Sequence, residues 1–316
     1  MRFPPTPRLG AVALSGGLDS SILLHEAVQN LGAPYVVALH IDHQARELRS
    51  CQEECQSVER LCAKLGVVLR RKTLPRRESN SSEELLRNLR YSALIELSAD
   101  CDWVALAHHR DDQVETILMN LFRGSDRRGW SGMPPFFTRQ STLFVRPLLL
   151  SHDRQDLQQL QSQLQLPIFE DPSNGSKNYL RNRYRHELLP LIDELAPLGR
   201  EKILDFGRAM DHWTHFLSQE LAEKKKTLDW KTLDSGQITH PRKDLQQWPR
   251  LILEAWCHHC LCHFSQKAGS ITRLQVEEFA EWISSDALGA YPRTFPGNLR
   301  FRARKREIIF CTEAPP

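Results

Sequence analysis

The chain has 316 residues, 41% of them hydrophobic and 26% charged, with 42 Lys and Arg against 39 Asp and Glu for a net charge of +3. That length holds a sizeable core and about two domains. No apolar run approaches the ~18 residues of a membrane span, the opening M-R-F-P-P-T-P-R-L-G lacks the apolar stretch of a signal peptide, and the eight cysteines are scattered rather than set out as a secreted framework, so a cytoplasmic, reduced protein is expected.

In chain order, short apolar runs predict strands at Ala11–Leu14, Tyr35–Ile41, Val67–Arg70 and Trp103–Ala107, with a weaker fifth at Leu143–Val145. Between them lie helical patterns. Ser20 to Leu31 carries Leu23, Ala27 and Leu31 at i, i+4, i+8, and Glu83 to Leu97 carries Leu86, Leu89, Ala93 and Leu97 on one face. Gly124 to Gln140 is rich in Gly, Pro and Arg and reads as a long loop. Beyond Pro190 helices are expected at Arg200 to Gln219 and Trp248 to His263, then a small sheet at the end. The expected fold class is α/β, a mostly parallel, doubly wound sheet, with a smaller C-terminal α+β domain. The boundary is placed near residue 200, giving domains of 1–199 and 200–316.

Three polar clusters each follow a predicted strand: Ser15 to Ser20, His40-Ile41-Asp42-His43, and His108-His109-Arg110-Asp111-Asp112. In a parallel sheet all three fall along one edge, where ligands of open α/β sheets bind. In the first, S-G-G-L-D-S, two glycines let the backbone close on an anion, and the helix behind aims N–H groups and its positive dipole end at it. Ser15, Gly16, Gly17, Leu18, Asp19 and Ser20 are therefore the candidate phosphate-binding residues. No Lys stands where a Walker loop uses one on the β/γ-phosphates. A cradle of amides and hydroxyls suits pyrophosphate as a leaving group while the α-phosphorus is attacked. Asp112 and Glu115 are three apart, so a helix starting here puts them on one face. Such a pair grips an ammonium group, holds Mg²⁺, or simply suits a helix's first turn.

The strand–S-G-G-L-D-S–helix sequence resembles the pyrophosphatase-loop family of ATP enzymes. More closely, H-H-R-D-D-Q-V-E-T, L-F-R-G-S, G-M-P-P, H-I-D-H-Q-A-R, R-N-L-R-Y, R-P-L-L, D-P-S-N and R-N-R-Y-R-H-E-L-L-P resemble the tRNA(Ile)-lysidine synthetases, in order over residues 11 to 195. The rest of the chain resembles that family weakly. The resemblance implies an adenine nucleotide alpha-hydrolase-like fold and an ATP-dependent carbon–nitrogen ligase acting on tRNA. ATP, with Mg²⁺, adenylates O2 of the wobble cytidine of tRNA(Ile) with a CAU anticodon. The side-chain amine of free L-lysine then displaces AMP to form lysidine. It also implies that Asp112 and Glu115 bind the lysine.

Lysine's amine is protonated near neutral pH and must lose a proton before it attacks. Asp42, Asp112 and Glu115 are the candidates for binding and deprotonating it, and spacing does not single out the base. Asp19 is a candidate Mg²⁺ ligand, and capping of the helix accounts for it equally well. Arg90 and Arg123, in matched motifs, are candidates to stabilise charge on the phosphate oxygens. Arg181 and Arg183 are candidates for that role or for tRNA phosphates, and His108 and His109 are secondary acid–base candidates.

Basic residues cluster at Arg70 to Arg77, five of eight, and at Arg300 to Arg306, five of seven, and such clusters are the footprint of nucleic-acid binding. Arg300, Arg302 and Arg304 alternate along one strand face and are candidate tRNA phosphate contacts, extended by Lys305 and Arg306. The loop around Trp130 is a second candidate, able to stack on an extruded base. Cys257, Cys260 and Cys262 have metal-like spacing but lie in a helical pattern, which favours packing in a core. The competing functions are a tRNA thiolase of the same loop family, which needs a reactive cysteine or an iron–sulfur cluster, and an inactive tRNA-binding module.

Overall fold

The computed structural model describes residues 3–4, 9–42, 48–74, 83–125, 127–169, 180–228, 231–232, 238–264, 271–285, 293–295, 299–304 and 307–311. His43 to Arg46, Pro75 to Arg77, Asp171 to Asn174, Lys305 and Arg306, singled out above, lie outside them. The chain forms two compact units, one of Met1–Leu118 and Gly132–Leu204, the other of Met119–Ser131 and Asp205–Pro316.

The elements up to residue 164 run β1 (Gly10–Ala13), α1 (Leu18–Leu31), β2 (Val36–Asp42), α2 (Leu48–Leu65), β3 (Val68–Thr73), α3 (Glu83–Leu97), β4 (Trp103–Ala105), α4 (Arg110–Phe122), α5 (Arg127–Trp130), β5 (Phe136–Arg139), β6 (Thr142–Val145) and α6 (Arg154–Leu164). Then follow α7 (Leu180–Arg183), a π-helical turn (Tyr184–Leu188), α8 (Leu189–Leu195) and α9 (Gly199–Thr227). The chain closes with β7 (Lys231–Thr232), β8 (Ile238–Pro241), α10 (Arg242–Gln246), α11 (Arg250–Phe264), α12 (Arg273–Ser284), β9 (Arg293–Phe295), β10 (Leu299–Ala303) and β11 (Glu307–Cys311).

In the first unit six described strands form a sheet in the order β3-β2-β1-β4-β6-β5, parallel except for β5. The five predicted strands are all present, the fourth stopping at Ala105. Successive residues of one strand pack to opposite sides. Val12, Ala38 and Ala105 join Ile22, Leu61 and Leu157, from α1, α2 and α6, in one cluster. Ala11, Val37 and Val104 join Tyr91 and Leu94, from α3, in the other. Burial on both faces is why these strands read as unbroken apolar runs. Gly10 is required by packing, since a Cβ there would stand 2.3 Å from the Trp103 ring.

Gly124 to Gln140 is more ordered than the composition suggested: it contains α5 and β5. Gln113 anchors it from α4, its Oε1 accepting from the Met133 amide at 2.8 Å and its Nε2 donating to the Met133 carbonyl at 3.0 Å. Two bonds to one backbone residue fix where β5 begins, which a Gly- and Pro-rich composition does not show.

In the second unit five described strands form an antiparallel sheet, β7-β8-β11-β10-β9. Its core gathers Leu217 and Leu221 of α9, Trp256, Cys257, Cys260 and Leu261 of α11, Phe279 and Ile283 of α12, and Phe301 and Ile308 of the sheet. Burial pushes the Cys257 and Cys260 thiols well up, so they behave as small apolar groups there. No described helix is long and apolar enough to cross a membrane.

Candidate active site

The parallel sheet brings the three polar clusters to one edge, at the carboxyl ends of β1, β2 and β4, with β1 central. The chain leaves β1 through Leu14 and turns at Gly16, whose φ of +78° suits glycine and whose added Cβ would stand 3.2 Å from Val58 Cγ2. The Gly16 carbonyl accepts from the Phe169 amide at 2.8 Å, tying the turn to the segment after α6.

α1 starts at Leu18, two residues earlier than predicted, because extended Gly17 takes the N-cap position. Neither Asp19 nor Ser20 caps it, and no side chain does. Ser20 Oγ instead accepts from the Ser15 amide at 3.1 Å and donates to the Gly17 carbonyl at 3.1 Å, while Ser15 Oγ lies 3.1 Å from it. Ser21 Oγ, a residue the sequence reading passed over, donates to the same carbonyl at 2.8 Å. The loop's own hydroxyls hold its shape, and the amides of the first helical turn, which have no intrahelical acceptor, are left for an anion.

Asp19 sits in that first turn. Burial raises its pKa, against the pull of His109 and Arg154. Its Oδ1 is shielded from solvent and has no hydrogen-bond partner among the described residues. An orphaned carboxylate oxygen beside a phosphate cradle fits a magnesium ion held by one carboxylate, phosphate oxygens and water. Behind it stands His109, fully buried, with Nε2 at 3.7 Å from Asp19 Oδ2 and 3.5 Å from Asp112 Oδ2. His108 is different. Burial first, then the charges of Arg146 and Arg90, push its pKa down to about 3 against the pull of Asp112. Arg146 Nε donates to its Nδ1 at 3.2 Å, so the ring is neutral with its proton on Nε2.

Asp112 and Glu115 share one face of α4, as their spacing predicted, and both are buried, Glu115 completely. Their acceptors are taken by two arginines. Arg181 donates from Nε to Glu115 Oε2 at 2.7 Å and from Nη2 to Asp112 Oδ1 at 2.8 Å. Arg185 donates from Nε to Glu115 Oε1 at 2.8 Å and from Nη2 to Asp112 Oδ1 at 2.9 Å. Burial works to raise the Asp112 pKa, but His109, Arg181 and His108 outweigh it and hold the carboxyl below its ordinary range. Arg185 did not stand out in the sequence, although it lies four residues from Arg181 and so on the same helical face. Arg183, between them, points away and pairs with Glu187 at 3.2 Å, both side chains exposed.

A cleft of about 930 Å³ joins these parts, lined by Ser15, Asp19, Arg90, Asp112, Arg181 and Arg185 among others. That volume is at the upper end of ligand pockets and is ample for a nucleotide. Arg90 lines it with an Nε that has no partner among the described residues, and burial lowers its pKa. Asp42 ends β2 but does not line the cleft, where Ile41 does. Arg123 belongs to the second unit and is exposed. Arg300 and Arg302 are half-buried on β10, flanking fully buried Phe301, and Arg304 stands exposed just past the strand.

Residues 4–192 match the PP-loop domain family. The chain is 33% identical over 221 residues to a tRNA(Ile)-lysidine synthase of Geobacillus kaustophilus, covering 67% of this chain and 47% of that protein. It is 34% identical over 321 residues to a tRNA(Ile)-lysidine synthase of Bacillus anthracis, covering 95% of this chain and 64% of that one. The chain thus spans about half to two thirds of the length of these relatives. Among solved structures it resembles the U34-tRNA thiolase NcsA of Methanococcus maripaludis, with a TM-score of 0.53 and 16% identity over 65% of this chain and 72% of that one. The last likeness is one of fold.

Proposed function

The chain belongs to the PP-loop domain family, and from that premise we propose that it is a cytoplasmic ATP-dependent ligase that forms lysidine on tRNA(Ile) with a CAU anticodon. The observation that carries this is one cleft lined both by a Lys-free phosphate cradle and by Asp112, a buried carboxylate that shares a helical face and two arginine partners with Glu115. Similarity to two tRNA(Ile)-lysidine synthases supports it.

In the first step O2 of the wobble cytidine attacks the α-phosphorus of ATP and pyrophosphate leaves. The amides of Leu18 to Ser20 and the hydroxyl of Ser15 hold the departing phosphates. Arg90, half-buried in the cleft wall with a donor to spare, faces the charge that gathers on the phosphate oxygens. Magnesium, when bound at Asp19, supplies charge neutralisation for the phosphates. In the second step the amine of free lysine attacks carbon 2 of the cytosine and AMP leaves. Asp112 and Glu115 hold the lysine. Asp112, kept ionised, is a binder and a poor base at neutral pH.

The tRNA itself would meet the second unit, through Arg300, Arg302 and Arg304 and through an aromatic surface. Phe206, Trp213 and Phe216 lie on one face of α9 and are 38%, 40% and 48% exposed. Large exposed aromatics are a stacking surface for unpaired bases. The thiolase reading has no support from Cys55, the thiol 3.8 Å from His40 Nε2, because burial and the charge of Asp42 raise its pKa and so suppress the thiolate.

Nucleoside mass spectrometry tests the proposal. A CAU-anticodon isoleucine tRNA transcript incubated with the protein, ATP, Mg²⁺ and lysine should yield lysidine, and only when ATP and lysine are both present. Unmodified cytidine under those conditions overturns it.

A further inference from the structure

The carboxylates proposed to bind lysine are already occupied by the chain's own cations. Arg181 and Arg185 together make four hydrogen bonds of 2.7 to 2.9 Å to Asp112 and Glu115. A guanidinium fork satisfies a carboxylate better than an ammonium group does, so free lysine meets a site with a stronger occupant in place. The two arginines are not equivalent. Arg185 also feels Asp19 in the phosphate loop, and Asp19 feels Arg185 in turn. The Arg185 side chain lines the cleft together with Asp112, Asp19 and Ser15. It is carried on the π-helical turn Tyr184–Leu188, where the Leu189 amide donates to the Tyr184 carbonyl. Such turns are irregularities found mostly at functional sites.

The geometry points to Arg185 as a specificity-determining gate, one that closes the acid pair to lysine until a nucleotide phosphate in the cradle draws its guanidinium away. The inference rests on the proposed lysidine chemistry and adds to it an order of events. The carboxylates open only once a nucleotide phosphate is in the cradle. Free lysine is then not bound ahead of the nucleotide, and neither are other small amines. Because coupling between two ligands is reciprocal, lysine must in turn tighten nucleotide binding by the same factor.

Two measurements test it. Equilibrium dialysis of labelled lysine, with and without Mg²⁺ and a non-hydrolysable ATP analogue, should show wild-type affinity rising about tenfold or more with the nucleotide. In Arg185→Gln, lysine should bind without nucleotide and the dependence should disappear, while Arg185→Lys should retain part of it. A role confined to holding the fold would lower affinity in both variants without removing the dependence. Equal wild-type affinity with and without nucleotide overturns the gate. The second measurement needs no lysine. In protein labelled with [15N]arginine, the Arg185 Nε–H resonance, assigned by its loss in Arg185→Lys, should shift when the ATP analogue is added. A resonance that stays put overturns the gate even if lysidine is formed. A shifting resonance in a protein that forms no lysidine leaves the gate standing and removes the proposed reaction.

Discussion

Asp19 Oδ2 and His109 Nε2 lie 3.7 Å apart, joining the first turn after β1 to the loop after β4. Burial penalises the Asp19 charge, so its retention is a cost that a phosphate-bound cation would offset. Asp19→Asn should leave Tm unchanged or higher while tRNA-dependent AMP release falls by about 10²-fold. Thermal melts and AMP release on the same preparation check this. A fall in Tm with normal turnover would remove Asp19 from the site.

Gly16 is the point of tightest geometry in the loop. Gly16→Ala should cost about 1–2 kcal/mol for its left-handed backbone, and Val58 at 3.2 Å from the new methyl must give way. ATP affinity, read by dialysis, should drop with stability, because the same turn presents the amides.

Arginines of one short segment should differ sharply. Glu115→Ala leaves two guanidinium groups without their buried partner and should cost about 3–5 kcal/mol in urea unfolding. Arg183→Ala removes only an exposed i, i+4 pair and should change stability by about 0.5 kcal/mol or less.

Acid should unfold the second unit through His240. Its ring is buried edge-on to Trp256, with centroids 5.0 Å apart, and burial, then the charge of Lys225, push its pKa from 6.5 down to about 4. Between those values the unfolded chain holds a proton that the folded chain does not. Stability is therefore full above about pH 6.5 and falls as pH drops toward 4, by on the order of 3 kcal/mol at the limit. Urea midpoints at several pH values should show this slope, and His240→Gln should flatten it.

If β10 tracks a phosphate backbone, Arg300→Ala and Arg302→Ala should weaken tRNA binding about equally for all sequences. Each should lower the slope of log K against log salt by about 1. An unchanged slope would mean the strand's arginines do not meet the phosphate backbone.

What could be read from the sequence was what is local. The glycines and serines of the loop lie within six positions, and the carboxylates of α4 share a helical face by spacing alone. The meeting of Arg181 and Arg185 with Glu115, 66 and 70 positions away, was not legible, because period and composition carry no sign of it. The helix α2 escaped for another reason. Its apolar face is Cys51, Cys55, Val58, Leu61, Cys62 and Leu65, at helical intervals, and cysteines counted as scattered thiols hide half of that period. Its Val58 and Cys62 are buried against the sheet, so the residues served as hydrophobes. The strand β5 depends on Gln113 from a different element and had no local signal.

The assignment of Met119–Ser131 to the second unit has a consequence for synthesis. Arg128 reaches His258, 130 positions later, with Nη1 3.0 Å from its Nδ1. On the ribosome this segment emerges long before α11, with β5 and β6 of the first unit made in between. Nascent chains halted between residues 205 and 250 should therefore hold a folded nucleotide unit carrying an unsatisfied loop, protease-sensitive until the last helices arrive.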